Sequence, residues 1–513
     1  MNAEVAARPV LDPLKDRVRA HYDELAPHRD RWYRRNSYYH SEVERRLAAL
    51  IPAGSSVLEL GCGTGNLLTA LKPARGLGVD LSSRMVEIAR NNHPELRFEV
   101  ADAECFTTDE EFDFVVASDL IGELGDINAM FECFTQMSRA SSRLVITFHS
   151  PTLEEVMRIA QRAGFAMAPF RQNWVGVETA RGLLALSDLR VVGEAHALLV
   201  PAPIPLLAPA ANRLLAGRRA LKYFDLLNIL VAEPDPDRAQ PKQLSCSVII
   251  PCRNEIGNID AAVERMPDLG PGTEIIFVDG ASTDGTKERI EEVIDRYRGS
   301  KDIKLILQMP EASYGDRKDD PDAPTVMLKL GKGDAVRKGF DAASGDVLMI
   351  LDADLTVPPE DLPRFLRPIA TGKGRFINGT RLVYPMEERA MKFLNYVGNW
   401  FFSKLFTWLL EQPIRDTLCG TKVLLKSDYM QIKAGRKHFG DFDPFGDFDL
   451  LFGAARLGIP IVEVPVRYRR RLAGVSKVRV SRHGWLLVAM SMVAFRRLKV
   501  AKWREKLRRS RRL

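Results

Sequence analysis

Short runs of aliphatic and β-branched residues, each ended by glycine, proline or aspartate, recur along this chain with helical stretches between them. In the first half they read "SVLEL", "GLGVD", "LRFEVAD", "FDFVVASD" and "RLVITFH", followed by "RVVGEAHALLVP" and "NILVAEP". In the second half they read "CSVIIP", "TEIIFVDG", "IKLIL" and "DVLMILDAD". Apolar runs of strand length alternating with helices predict parallel sheets covered on both faces. Between the two series, residues 232–244, "AEPDPDRAQPKQL", hold three prolines and no apolar period, which predicts a linker. The expected fold class is therefore α/β with two doubly wound domains, over 1–235 and 245–481, joined by a linker at 236–244.

Two apolar stretches do not fit that strand pattern. In residues 393–410, "FLNYVGNWFFSKLFTWLL", Asn395, Asn399, Ser403 and Thr407 recur every four positions, which leaves a wide apolar surface on a helix. Such a helix is either buried or lies in a bilayer interface. Residues 484–495, "GWLLVAMSMVAF", are uncharged but only twelve long, whereas a bilayer span needs ~20. The basic run 496–513 follows, with ten Lys or Arg and one Glu, so it carries +9 of a total of +7 and leaves 7 − 9 = −2 for the rest. Basicity is thus a property of the tail. An apolar helix and basic tail over 482–513 predict peripheral anchoring on an anionic membrane surface, with a core helix and a solvated tail as the other option. An apolar run directly before the basic one argues against a nucleic-acid arm. The six scattered cysteines form no CxxC pair, and the first residues lack an apolar leader, so a reducing cytoplasmic setting is expected, on the inner face of the membrane.

Chemistry enters first at "VLELGCGTGN", residues 57–66, where glycines 61, 63 and 65 follow a strand and let the backbone turn close to a ligand. Asp80 ends the next strand and can accept two ribose hydroxyls; Asp102 ends the third and can reach an amino group. This order resembles the class I S-adenosylmethionine-dependent methyltransferases over residues 1–235. The resemblance implies a Rossmann-like seven-stranded fold with an antiparallel last strand. It places Glu59, Gly61, Gly63 and Gly65 by the methionine moiety, Asp80 by the ribose, and Asp102 with Ala103 by the adenine. Ser118 and Asp119 would line the methyl-transfer face. Tyr38, Tyr39, His40, His149, Asn173 and Trp174 are candidates for the acceptor side, each with packing as an equal alternative.

In the second half, Pro251, Arg253, Asn254 and Glu255 follow one strand, and Asp279 ends another ahead of Asp284. "GKGDAVRKGF", residues 331–340, offers Lys332, Gly333 and further cations to phosphates. Asp352 and Asp354 then end a fully apolar run, and two like charges there need something positive to meet them. These pieces together resemble the GT-A fold of family 2 glycosyltransferases, in particular polyprenyl-phosphate sugar transferases, over about residues 245–480. The resemblance implies a nucleotide-sugar donor. Its base would lie on Asp279 and its ribose on Glu255, with Pro251, Arg253, Lys332 and Gly333 beside them. Its diphosphate would be held through Mg²⁺ or Mn²⁺ on Asp352 and Asp354. "FGDFDPFGDFDLLFG" supplies Asp447 and Asp449 as catalytic carboxylates, and Arg471, Ser476 and Lys477 would bind an acceptor phosphate on a polyprenyl or other lipid-linked glycan carrier. Thr356 stands where such enzymes often carry a third ligand. A bifunctional enzyme is the expectation. The alternatives are one active domain with the other as a docking module, or a soluble acceptor.

Overall fold

The computed structural model describes residues 13–170, 173–218, 220–308, 331–381, 383, 393–417, 419–435, 447–467, 469, 471, 491–492 and 494–500. The chain forms two compact units, Met1–Arg238 and Ala239–Leu513.

The first unit is built on β1 (Ser56–Leu60), β2 (Arg75–Asp80), β3 (Arg97–Val100), β4 (Phe114–Ser118), β5 (Arg143–His149), β6 (Leu189–Ala197) and β7 (Leu227–Pro234). They form one sheet in the order β3-β2-β1-β4-β5-β7-β6. β1 to β5 run parallel to one another, and β7 runs antiparallel to both β5 and β6, as the sequence led us to expect. Leu58, Leu60, Val79, Val116 and Val145 are completely buried, which is why these runs carry no alternation. The strand order reverses at β1 and β4, and the crevice opened there is the usual ligand position in such sheets. The turn leaving β1 needs its glycines: φ is +72° at Gly61, +53° at Gly63 and +82° at Gly65. A Cβ at Gly65 would also meet the Phe98 ring at 2.7 Å. Two helices, Pro13–Arg35 and Ser37–Leu50, precede the sheet; the second buries Val43 and Leu47 in its core.

The second unit holds β8 (Cys246–Cys252), β9 (Thr273–Asp279), β10 (Asp302–Leu307), β11 (Val347–Ile350), β12 (Phe376–Thr380), β13 (Lys422–Leu425) and β14 (Ile461–Pro465) in the order β10-β9-β8-β11-β13-β12-β14. β13 is antiparallel to β11 and β12. β11 stops at Ile350, short of the carboxylates, and a turn closed by Leu355 N–H on the Asp352 carbonyl (3.0 Å) places Leu355 at φ +50°. Phe406, Leu409 and Leu410 of the helix Phe393–Leu410 join the core of this unit with Phe448 and Phe452. Ser403 and Thr407, half of the polar stripe, donate to the Ile414 carbonyl at 2.6 and 3.1 Å. The described end of that helix is therefore buried on one face, while Trp408 remains exposed on the other. Among the described residues no helix is long and apolar enough to cross a membrane. Most of the expected 482–513 element, including its tail beyond residue 500, lies outside the described residues.

Candidate active sites at the two sheet edges

At the carboxyl edge of the first sheet, Glu59 is buried at the end of β1 and its Oε2 has no hydrogen-bond partner. Burial pushes its carboxyl up to about 8, so it holds its proton at neutral pH. Asp80 accepts from Gly63 N–H at 2.8 Å and Ser82 N–H at 2.9 Å, and this ties the glycine turn to the end of β2. Asp102 meets the ammonium of Lys15 from the first helix, and that ammonium also lies 3.0 Å from Glu104. Ala103 is buried beside them. The Ser118 hydroxyl meets the Thr147 hydroxyl at 3.0 Å, and Thr147 in turn donates to Asp119 at 3.0 Å.

The acceptor candidates separate sharply. Tyr39 donates to Asp119 Oδ2 at 2.7 Å, and Thr147 donates to Asp119 Oδ1 at 3.0 Å. With its proton committed there, the Tyr39 oxygen accepts from His149 Nε2 at 3.1 Å, which selects the Nε2–H tautomer. Tyr39, Asp119 and His149 are thus joined by hydrogen bonds, with the His40 ring edge-on to Tyr39 at 5.3 Å. Tyr38 accepts from Asn212 at 3.0 Å, and His40 stacks on Tyr33 with its pKa lowered by burial to about 4. Asn173 donates to the Ile121 and Leu124 carbonyls, a structural use. Arg29 escaped the sequence reading. Its Nε lies 3.6 Å from where a Gly63 Cβ would sit, and its charge bears on Glu59, Asp80 and Glu123. Nothing in a helix reading "PHRDRW" distinguishes that arginine from its neighbours.

At the edge of the second sheet, Asn254 at φ +52° and Glu255 follow β8. Asn254 accepts from Thr283 N–H at 2.8 Å and Glu255 from Asn258 at 2.8 Å. Asp279, completely buried at the end of β9, accepts from Ser282 N–H at 3.1 Å. Pro251 is inside β8, and Arg253 follows that strand. Lys332 and Gly333 begin the helix Lys332–Ala342, and Lys332 Nζ lies 2.5 Å from Asp352 Oδ1. Burial works against the Asp352 charge, but Lys332, Lys422 and Arg381 outweigh it and hold its carboxyl below the usual range. Asp354 is shifted the other way by burial and by Asp352, against Arg471 at 2.9 Å and the Thr356 hydroxyl at 2.8 Å. Thr356 therefore orients Asp354 through a hydrogen bond. Asp449 is buried on the helix Asp447–Arg456, whereas the Asp447 side chain, Ser476 and Lys477 lie outside the described residues.

Around Asp352 the sequence reading missed Arg381 and Lys422. Lys422 is fully buried in β13 with its ammonium on the Cys419 carbonyl, and a lysine inside "KVLL" signals nothing beyond a strand interruption. Gly420 has a tighter reason to be glycine. A Cβ there would lie 2.1 Å from Asp352 Oδ2 and 2.6 Å from Lys332 Nζ. Gly420→Ala is expected to displace this ion pair and weaken nucleotide-sugar binding at least tenfold, about 1.4 kcal/mol in calorimetry. Unchanged affinity would remove the pair from the donor site.

Both edges gather charged and polar side chains where strands of an α/β sheet end, the arrangement of a ligand-handling enzyme with two separate sites. Residues 31–192 match the family model described as a methyltransferase domain, and residues 247–308 with 328–431 match that of glycosyl transferase family 2. The polyprenol monophosphomannose synthase of Mycolicibacterium smegmatis is 30% identical over 258 residues, which are 48% of this chain and 85% of that protein. The dolichol-phosphate mannosyltransferase of Pyrococcus furiosus is 28% identical over 247 residues, 46% of this chain; the chain spans only 60% of that relative's length. The solved magnesium protoporphyrin IX methyltransferase of Synechocystis overlaps 43% of this chain and 99% of its own, at 18% identity and a TM-score of 0.32. The chain belongs to the family 2 glycosyltransferases through its second half, and its first half matches a methyltransferase domain.

Proposed function

We propose that this chain is a bifunctional enzyme in which residues 1–235 transfer a methyl group from S-adenosylmethionine, residues 236–244 link the halves, and residues 245–481 transfer a sugar, with inversion, from a nucleotide donor to a polyprenyl phosphate or other lipid-linked glycan. The observation that carries the second activity is the placement of Asp352 and Asp354 in a pocket of cations at the sheet edge. The names of the relatives, both transferases of a polyprenol-phosphate type, support the acceptor class.

The residues present fit a divalent metal. Mg²⁺ and Mn²⁺ favour hard oxygens, and Mg²⁺ is commonly held by one or two carboxylates, with substrate phosphates completing the shell. Asp352 and Asp354 provide such a pair, while no cluster of three or more metal-ligating side chains occurs among the described residues. When bound, the ion would offset the charge that develops on the departing nucleoside diphosphate. Lys332 adds a cation beside the same oxygens. A phosphate acceptor is already an anion and needs no base, so Arg471, with Ser476 and Lys477, would orient it. Asp449 or Asp447 would serve as base only for a hydroxyl acceptor. Trp408 and Phe495, stacked at 5.8 Å and both exposed, with Lys499 over the Trp408 ring at 5.3 Å, support peripheral contact with an anionic membrane surface, on its cytoplasmic side.

For the first half, Glu59, Gly61, Gly63, Gly65, Asp80, Asp102 and Ala103 would hold the cofactor, whose positively charged amino group and sulfonium favour an ionised neighbour. Glu59 holds its proton up to about pH 8 in the free protein, so a cation bound beside it lowers that pKa and a proton leaves. At pH 7, binding of S-adenosylmethionine is expected to release up to one proton, read from calorimetry in two buffers of different ionisation enthalpy. Affinity should rise with pH until about 8 and then level off. Glu59→Gln should abolish the release. No binding heat at all would end the methyltransferase reading, whereas binding without proton release would end only the role of Glu59.

A further inference from the structure

Between β6 and β7 the chain makes a long excursion, residues 198–226, that neither site uses. Its first part is Pro201-Ala202-Pro203-Ile204-Pro205-Leu206-Leu207, seven consecutive exposed residues without one polar side chain. Leu206 at the tip is 88% exposed and sits at φ +63°, a strained conformation for a residue with a Cβ. In the helix Leu207–Leu214 only Ala208 is buried, while Leu207 and Leu214, seven residues apart, share one exposed face. Tyr223 and Phe224 add exposed rings. Residues 198–224 carry Arg213, Arg218, Arg219 and Lys222 and no acidic residue.

This excursion is pinned in place. The Asn212 side chain accepts from Val200 N–H and donates to its carbonyl, both at 2.9 Å, and also donates to Tyr38 at 3.0 Å. Asp225 accepts from Gly217 N–H at 2.6 Å, and Ser150 donates to the Tyr223 carbonyl at 3.0 Å. Tyr38 and Ser150 are the chain neighbours of Tyr39 and His149, so the excursion is hydrogen-bonded to the residues next to that pair. A contiguous apolar run of this kind held in water marks a docking surface. Its wholly basic flank selects the partner: apolar tips with arginines behind them match an acyl boundary under anionic headgroups.

We propose that residues 201–224 dock the methyltransferase half on an anionic lipid surface, with Ile204, Leu206 and Leu207 at the acyl boundary and Arg213 and Arg218 on the headgroups, so that the methyl acceptor reaches Asp119 and His149 from a lipid carrier. The second clause rests on the methyl-transfer reading; the docking itself does not. The test is amide hydrogen exchange of the full chain with vesicles of phosphatidylcholine alone or with about 30 mol% phosphatidylglycerol, each exposed arginine adding roughly fivefold to the anionic preference. Exchange should slow within residues 206–224 on the anionic vesicles. Because the readout is local, binding through the C-terminal residues does not mimic it. Leu206→Asp with Leu207→Asp, and separately Arg213→Glu, should remove the slowing and leave the heat of S-adenosylmethionine binding unchanged. The proposal is overturned if this segment exchanges equally with and without anionic vesicles. It is equally overturned if the segment is protected without lipid: protection that fades on dilution makes the surface an interface between two copies, and protection that persists makes it one covered by the rest of the chain.

Discussion

Asp352→Asn should reduce turnover of the nucleotide sugar by about three orders of magnitude, the scale lost when a preorganised electrostatic contact to developing charge is removed. The substitution keeps the side chain's shape and removes only its charge. Asp352 is the better choice of the two carboxylates because Lys332, Lys422 and Arg381 hold it ionised, whereas burial and its neighbour raise the pKa of Asp354. Without the Asp352 charge, Lys332 loses its anionic partner at 2.5 Å, and a divalent ion bound there would keep one of two carboxylates. The measurement is release of nucleoside diphosphate from a panel of nucleotide sugars with Mn²⁺ and a polyprenyl phosphate. A calorimetric melt of the same sample reports whether the second unit, which holds Asp352, is folded. Turnover within tenfold of the parent protein would remove Asp352 from the donor site.

How much of this was visible in the sequence depends on where each residue's physical reason lies. β1, β8 and β11 could be read because a strand buried on both faces is an uninterrupted apolar run, and Asp80 and Asp352 could be read because carboxylates following such runs need a partner. β12 and β13 could not. "FINGT" and "KVLL" are too short to show a period, and the latter has a lysine whose ammonium is satisfied by the Cys419 carbonyl, a contact only the folded loop creates. The stripe of Asn395, Asn399, Ser403 and Thr407 read as a polar face; Ser403 and Thr407 instead meet the Ile414 carbonyl, because a buried loop carbonyl needs donors as water does not reach it. Ser118 could be placed at the end of β4, but not its hydroxyl contact with Thr147, which depends on the pairing of β4 with β5. Tyr39 and His149, 110 residues apart, could be named singly but not paired, since the helix Ser37–Leu50 reaches β5 only in the folded unit.

Arg381→Ala should destabilise the second unit by about 3–5 kcal/mol, the cost of stranding one partner of a buried ion pair. Asp416 has no solvent exposure; it takes Arg381 Nε at 2.6 Å, Nη2 at 2.8 Å and the Arg381 main-chain N–H at 3.0 Å. Alanine keeps only the last of these, and the carboxylate must then take up a proton or draw in water. For a unit of this size, a melting point lower by roughly 10 °C is expected in calorimetry. Arg381→Met combined with Asp416→Leu should recover much of that loss, because removing both charges also removes the desolvation cost that their pairing only offset. Recovery should not extend to chemistry. Arg381 is one of the cations that hold Asp352 ionised, and the Asp416 carbonyl receives Asn378 at 2.9 Å beside Glu463, so the pair connects the β12–β14 end of the sheet to the donor carboxylates. A double variant that melts near the parent temperature yet binds nucleotide sugar poorly would separate the pair's two contributions, stability and electrostatics. A single variant that loses under about 1 kcal/mol would instead mean that Asp416 is hydrated, since that is the scale of an exposed pair.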